Sequence, residues 1–363
     1  MKTTHRFVCG NAADLSFLPD RSISLVVTSP PYPMIEMWDE DFARHDEGIL
    51  DAFRRGAPFE AWERMHRQLD GVWHEVARVL IDGGIACINI GDATRTIDGT
   101  FQLFPNHTRV AGTFLRLGMQ ALPAIIWRKQ TNAPNKFMGS GMLPPGAYVT
   151  LEHEYVLVFR KGGKRAFTST REKAIRAESA YFWEERNQWF SDVWTDLKGT
   201  RQELDHTDLR SRNAAFPFDL PYRLIQMFSV KYDTVLDPFV GTGTTLFAAA
   251  ASERNSIGVD LEPAFGEVIF NQLDGLAARL NTYPLKRLKD HDRFVAQHRT
   301  ENGHEAVKYV NEVHGVPVKT RQEVHLTLRT LSGIQRHEDS FEVTYGDPVR
   351  LSEKQASRSH TAV

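Results

Sequence analysis

Two short stretches of this chain carry residue types whose spacing suits chemistry on a planar nitrogen compound. In the first, Thr28-Ser29-Pro30-Pro31-Tyr32, a hydroxyl, a proline carbonyl and an aromatic ring fall within one turn. An exocyclic amine conjugates its nitrogen lone pair into its ring. It becomes a nucleophile only when acceptors aimed at its two hydrogens draw that pair out. Ser29 Oγ and the Pro30 carbonyl can be those acceptors, since proline lacks an N–H but keeps a fixed C=O. Pro31 completes the turn, and Tyr32 offers a flat face on which an extruded base could stack. In a plainer reading, Pro-Pro-Tyr merely ends a strand.

The second stretch is Asp237-Pro238-Phe239-Val240-Gly241-Thr242-Gly243-Thr244-Thr245. Gly241 and Gly243 let the backbone turn tightly and approach a ligand closely. Asp237 precedes them, and Asp260 follows one helix and one strand later, where a carboxylate can accept from ribose hydroxyls. No lysine follows Gly243, so this is not a phosphate-cradling loop of the Gly-Lys-Ser/Thr type. An adenosine-bearing ligand without phosphates fits better.

Alternating strands and helices must hold these stretches in place. Phe7-Val8-Cys9 and Ile23-Ser24-Leu25-Val26-Val27 are short apolar runs, and the second delivers its end to Ser29. Apolar residues at helical spacing from Trp62 to Leu80 predict a helix over 59–80, closed by a glycine cap at Asp82-Gly83-Gly84. Ile85-Ala86-Cys87-Ile88-Asn89-Ile90 reads as a buried strand, followed by a helix over 108–117 and strands over 122–127 and 154–159. Residues 161–205 are polar, basic and aromatic, and read as an insertion outside the sheet. The pattern resumes with a helix over 221–230, the strand Thr234-Val235-Leu236, a helix over 245–251 and a strand ending at Asp260. Short apolar strands separated by helices imply a mostly parallel sheet covered on both faces. Beyond about residue 284, Val324-His325-Leu326-Thr327-Leu328 and Phe341-Glu342-Val343-Thr344-Tyr345 alternate as two pairing strands.

Composition narrows the classes. The 363 residues are 41% hydrophobic and 25% charged, ordinary for a soluble globular chain. No apolar run approaches a membrane span, and the N-terminus lacks the apolar core of a signal peptide. Cys9 and Cys87 cannot form a disulfide framework, which points to a reducing cytoplasm. His291, His298, His304 and His314 lack metal-ligand spacing, so no metal is expected. The net charge of −2 means that a nucleic-acid partner needs a local basic patch. Between Trp127 and Arg176, ten Lys and Arg side chains face three acidic ones.

Taken together, the two stretches resemble the amino-methyltransferase branch of DNA methyltransferases. Ser-Pro-Pro-Tyr ahead of the glycine loop is the order of its permuted beta class. Arg78-Val79-Leu80-Ile81-Asp82-Gly83-Gly84, Glu152-His153-Glu154-Tyr155-Val156-Leu157-Val158-Phe159-Arg160-Lys161 and Phe216-Pro217-Phe218-Asp219-Leu220-Pro221 resemble its further landmarks. So does Gly10-Asn11-Ala12-Ala13-Asp14, although Asn11 departs from the common Gly-Asp. The resemblance spans roughly residues 5–280. It implies a Rossmann-like α/β fold, circularly permuted in motif order, with a seven-stranded, mostly parallel sheet and one antiparallel strand. It implies S-adenosylmethionine as cofactor, held by Asp237, Phe239, Gly241, Thr242, Gly243, Thr244, Asp260, Asp14, Phe216 and Pro217. Ser29, Pro30, Pro31 and Tyr32 would act on a flipped base. Serine ahead of Pro-Pro-Tyr is associated mainly with N4 of cytosine, and aspartate with N6 of adenine.

The resemblance also implies double-stranded DNA as substrate and a division of labour along the chain. Residues 1–160 and 206–283 form the catalytic and cofactor domain. Residues 161–205 form the target-recognition region, with Lys161, Lys164, Arg165, Arg171 and Lys173 on DNA phosphates. Residues 284–363 form an appended unit that contacts DNA or makes a homodimer, and the loop 132–145 shares in recognition. A cognate restriction endonuclease acting on the same site is a further partner compatible with it. Rival readings are N6-adenine methylation, an RNA substrate, and a catalytically idle DNA-binding scaffold.

Overall fold

The computed structural model describes residues 1–129, 138–198 and 216–350. Ten strands form its main sheet: β1 (Lys2–Cys9), β2 (Ile23–Thr28), β3 (Leu80–Ile90), β4 (Gln120–Arg128), β5 (His153–Arg160), β6 (Val193–Trp194), β7 (Thr234–Asp237), β8 (Asn255–Asp260), β9 (Arg329–Arg336) and β10 (Ser340–Pro348). Their order across the sheet is β6-β4-β5-β3-β2-β7-β8-β1-β10-β9. The seven strands from β4 to β1 are the mostly parallel sheet anticipated, and β5 is its one antiparallel member.

The full count is ten rather than seven because both edges are extended. β6 adds in parallel to β4, and the β9–β10 hairpin pairs antiparallel with β1. Phe341, Val343 and Tyr345 are buried on one face of β10, so the hairpin continues the core while capping an edge that would otherwise be open. β6 comes from the stretch expected to lie outside the sheet.

Burial on both faces follows from period-two alternation. Leu25 and Val27 of β2 point into one core and Val26 into the other. Helices α3 (Pro58–Val79) and α4 (Asn106–Arg116) cover the Val26 face. Helices α7 (Asp219–Phe228), α8 (Thr244–Ala251), α9 (Ala264–Asn271) and α10 (Leu276–Leu280) cover the other. Short helices α1 (Asp39–Ala43) and α2 (Gly48–Arg54) follow the Pro-Pro-Tyr turn.

Helix α3 does not end on a glycine cap. β3 starts at once at Leu80, and Gly83 sits at a bulge opposite β2 with φ +80°. The last carbonyls of α3 are met instead by Lys161, whose Nζ donates to the carbonyls of Ala77 at 2.6 Å and Arg78 at 3.1 Å.

A third core joins the segment after β5 to the C-terminal part. α5 (Thr170–Glu178) leads to α6 (Trp183–Trp189), which lies against α11 (Thr282–Asn302), and Phe182 packs with Leu288, Val318, Leu326 and Leu328. The buried Arg287 guanidinium grips Glu185 through two bonds of 2.6 and 2.7 Å. Val324–Leu328 is therefore a turn, not a strand. Asn311 Nδ2 pins it by donating to the carbonyls of Glu323 and Leu326, and the strand partner of β10 is β9. Among the described residues no helix is long and apolar enough to cross a membrane.

Candidate active site

The parallel strands bring their C-terminal ends to one edge. Ser29 leaves β2 there, beside Asp237 at the end of β7, Asp260 at the end of β8 and Gly10 after β1. These ends open onto a cavity of about 660 Å³. Of the sequence-predicted residues, it is lined by Ser29, Pro30, Pro31, Phe216, Asp237, Phe239, Gly241, Thr242, Thr244 and Asp260. Both stretches thus share one wall.

A single hydrogen bond locks them together. Thr28 Oγ1 donates to Asp237 Oδ1 at 2.6 Å, across 209 residues of sequence. The same carboxylate accepts from the Phe239 amide at 3.0 Å and from Thr245 Oγ1 at 2.5 Å. Burial dominates over these bonds and pushes the Asp237 carboxyl up to about 6. Asp260 accepts from the amides of Gly241 at 3.0 Å and Glu262 at 3.1 Å, and burial also raises its pKa.

Gly243 does not line the cavity but makes its loop possible. It precedes α8 with φ +86°, and a Cβ there would stand 2.7 Å from Ile269 Cγ1. Pro217 likewise lies outside the lining, its carbonyl accepting from the Leu220 amide at the start of α7. Asp14 is not brought to the cavity at all. It is exposed and spends Oδ1 on the Ser16 amide at 3.0 Å, closing a local turn, while Gly10 to Ala13 supply the wall.

The Pro-Pro-Tyr turn is braced from behind. Asn106 Nδ2 donates to the carbonyls of Pro33 at 2.9 Å and Gly91 at 3.0 Å. Tyr32 enters the site by its hydroxyl rather than its face. Its ring is 9% exposed, lies outside the cavity lining and packs so closely on Gly91 that a Cβ there would meet it at 3.0 Å. Its hydroxyl lies 3.0 Å from Ser29 Oγ and 2.9 Å from Glu154 Oε2. Burial and the Glu154 charge hold the phenol well above its ordinary pKa.

Asn89 and Glu154, neither foreseen as site residues, complete this cluster. Asn89 Nδ2 donates to Tyr32 at 2.8 Å and Glu154 at 2.7 Å, and Lys129 ion-pairs with the other oxygen of Glu154. A carboxylate at the head of the apolar run Tyr155-Val156-Leu157-Val158-Phe159 and an amide inside the run 85–90 were the available signals: polar groups where a strand should be apolar.

The basic residues expected to touch DNA are elsewhere. Lys161 caps α3, and Arg165 pairs with the buried Asp233 at 2.7 Å. Lys164, Arg171 and Lys173 are exposed, and Lys164 and Lys173 line a separate groove with Arg160, Arg176, Arg186 and Arg321. That groove is also lined by Ser24, near the start of β2, and by Gly83 and Ile85 of the neighbouring β3. Five residues of strand separate Ser24 from Ser29, roughly 17 Å at about 3.3 Å per residue. The groove and the cavity are at opposite ends of the sheet.

The tryptophans of this segment serve packing: Trp189 and Trp194 are 5% and 1% exposed. His291 and His314 are buried in the third core's surroundings, bonded to Glu184 and to the Val349 carbonyl. No cluster able to hold a metal ion occurs among the described residues.

Comparison with known proteins fits this geometry. A family model described as DNA methylase, the N6/N4 type, matches residues 23–271. The chain is 50% identical to the type II methyltransferase M.MthZI of Methanothermobacter thermautotrophicus, over 98% of this chain and 99% of that one. It is 48% identical to M.MjaI of Methanocaldococcus jannaschii, over 74% of this chain and 90% of that one. A protein of Thermus thermophilus, solved as a complex with S-adenosyl-L-methionine, superposes with a TM-score of 0.58. It shares 32% identity with the chain, covering 76% of this chain and 96% of that one.

Proposed function

The chain belongs to the N6/N4 DNA methylase family, and we propose that it methylates N4 of a cytosine flipped out of duplex DNA. Its cofactor is S-adenosylmethionine, and the cavity suits that molecule. Carboxylates line it at Asp41, Asp237, Asp260 and Glu262, against one guanidinium, that of Arg44. Such a lining favours a sulfonium cation and disfavours a polyphosphate. When bound, the cofactor supplies an electrophilic methyl group on positively charged sulfur. Asp260 would take its ribose hydroxyls. Asp237 and the backbone of Phe239 to Thr244 would surround the rest, with Gly243 shaping the loop and Phe216 closing the far side.

The observation that carries the reading is the cavity itself. It is walled by the catalytic turn and the glycine loop together, tied by the Thr28–Asp237 bond. Ser29 Oγ and the Pro30 carbonyl accept the two amine hydrogens, drawing the nitrogen lone pair out of the ring. Catalysis is then chiefly positioning and lone-pair activation. Serine rather than aspartate at position 29 favours the cytosine amine. A base in this cavity holds the duplex against the edge bearing α1, α2, the hairpin Ala93–Ile97/Thr100–Phe104 and residues 138–152. It does not bring the duplex to the basic groove.

Methylating mixed-sequence duplex DNA, digesting it to nucleosides and weighing the products tests the assignment. N4-methylcytosine is the expected product. N6-methyladenine in its place would overturn the choice of base while leaving amine methylation intact.

A further inference from the structure

Ser29, Tyr32, Asn89, Glu154 and Lys129 form a connected polar chain that runs from the cavity wall into the protein. The direction of each bond follows from the groups. A carboxylate paired with an ammonium only accepts, so the single Tyr32 proton is donated to Glu154. Asn89 must present Nδ2 to Tyr32 and Glu154, since the flipped amide would aim oxygen at the carboxylate. Its Oδ1 is left buried without a hydrogen-bond partner, a cost of the kind that persists where an orientation matters. With the Tyr32 proton spent on Glu154, the 3.0 Å contact to Ser29 is made by the serine hydrogen. Ser29 Oγ therefore turns only lone pairs towards the cavity. The hydroxyl is fixed as an acceptor, the role that amine activation requires.

We propose that Tyr32 and Glu154 are positioning residues that hold Ser29 as an acceptor, and that Glu154 takes the proton released by methyl transfer through them. The inference rests on the reading that Ser29 holds the target amine. As the amine nitrogen bonds to the methyl carbon, the carbon–sulfur bond breaks and its electron pair stays on sulfur. The nitrogen is left with two hydrogens and a positive charge. One proton passes to Ser29 Oγ, the serine hydrogen moves to Tyr32, and the Tyr32 proton moves to Glu154 Oε2. The base becomes a neutral secondary amine and Glu154 a neutral acid, which later loses its proton to solvent. The hops beyond Ser29 run along bonds already present, of 3.0 Å and then 2.9 Å.

The test combines single-turnover methyl transfer at saturating cofactor and DNA with a carbon-13 NMR titration of glutamate carboxyls in the cofactor-free protein. Tyr32→Phe keeps the ring and breaks the chain. Glu154→Gln keeps the size and an acceptor for Tyr32 but cannot take the proton. Each is expected to slow transfer by about 10²-fold, the usual scale of general acid–base effects, with cofactor affinity within about twofold. The double variant should be no slower than about threefold below either single one, because both act in one chain. The pH–rate profile of Glu154→Gln should differ in shape from that of wild type, because the proton acceptor is gone.

In the titration, the resonance missing from Glu154→Gln should move to a higher midpoint in Tyr32→Phe, which removes a hydrogen bond to the charged form. Transfer within about threefold of wild type in either single variant overturns the proposal. So does an unmoved titration in Tyr32→Phe. Ser29→Ala separates the two levels of inference. If it too transfers at near wild-type rate, the placement of the amine on Ser29 has failed. If it alone is inactive, only the relay has failed.

Discussion

Replacing Asp237 with Asn should stabilise the cofactor-free protein while weakening its hold on the cofactor. Asp237 is 2% exposed, and burial raises its carboxyl from an ordinary 3.8 to about 6. At pH 7.5 the folded protein carries it ionised, at a cost of about 3 kcal/mol relative to the unfolded chain. Asparagine removes that cost and keeps most of the bonding. Its Oδ1 still accepts from Thr28 and the Phe239 amide, and the Thr245 hydroxyl can turn to accept from Nδ2 in place of donating. Urea denaturation at pH 7.5 should show the variant more stable by about 1–3 kcal/mol.

That margin should close as pH falls. A carboxyl raised in the folded state penalises folding above about 6, and the penalty fades as pH drops towards 3.8. Calorimetric titration with S-adenosylmethionine should show the opposite ranking, with roughly tenfold weaker binding by the variant, or about 1.4 kcal/mol. Wild-type affinity should weaken as pH falls through 6, and the variant's should not. A variant less stable than wild type by more than about 1 kcal/mol at pH 7.5 would refute the reasoning. It would mean that the carboxylate's bonds outweigh its burial.

Two further outcomes follow from the same physics. Gly243→Ala places a side chain at φ +86° and 2.7 Å from Ile269, and should cost about 2 kcal/mol in urea denaturation with weaker cofactor binding. An unchanged midpoint would mean that the loop relaxes freely. His5 and His66 are held near 3 and 4 by burial, below their ordinary 6.5. Their stabilising effect is full above 6.5 and is lost as pH falls, at about 1.4 kcal/mol per pH unit for each. Between pH 7.5 and 5 the protein should lose about 3 kcal/mol after Asp237 offsets part of the change, and His5→Gln should remove roughly half of the histidine share.

Where the sequence misled, a long-range contact had overridden a local pattern. Val324 to Leu328 alternates like a strand, yet Leu326 and Leu328 are claimed by the third core and their backbone by Asn311. The run 161–205 looks like a detachable module because it is polar. Its described part, residues 161–198, nevertheless shares that core with residues 288–349 and lends Val193 and Trp194 to the sheet. The placement of its basic residues away from the cavity was not legible either, because charge in a sequence does not reveal which end of a sheet it reaches. Lys161 is held by helix carbonyls and Arg165 by Asp233. The central strands were legible because burial on both faces leaves them little choice but a short apolar run.

The Pro-Pro-Tyr turn and the glycine loop were legible for a different reason: each is a local device, its shape written in consecutive residues. What joins them is not local. Thr28 reaches Asp237 across 209 positions and Tyr32 reaches Glu154 across 122, and neither partner is marked by spacing. The strands make both contacts unavoidable. β2 lies between β3 and β7, so the residue ending β2 must meet the residue ending β7. β3 lies between β2 and β5, so Asn89 near its end is brought beside Glu154 near the start of antiparallel β5. An antiparallel strand in a parallel sheet is what delivers a carboxylate from the beginning of a strand to the edge where the others end. On this reasoning, the reversal of β5 is part of the active site: a parallel strand in its place would put that carboxylate at the opposite end of the sheet, beside the basic groove.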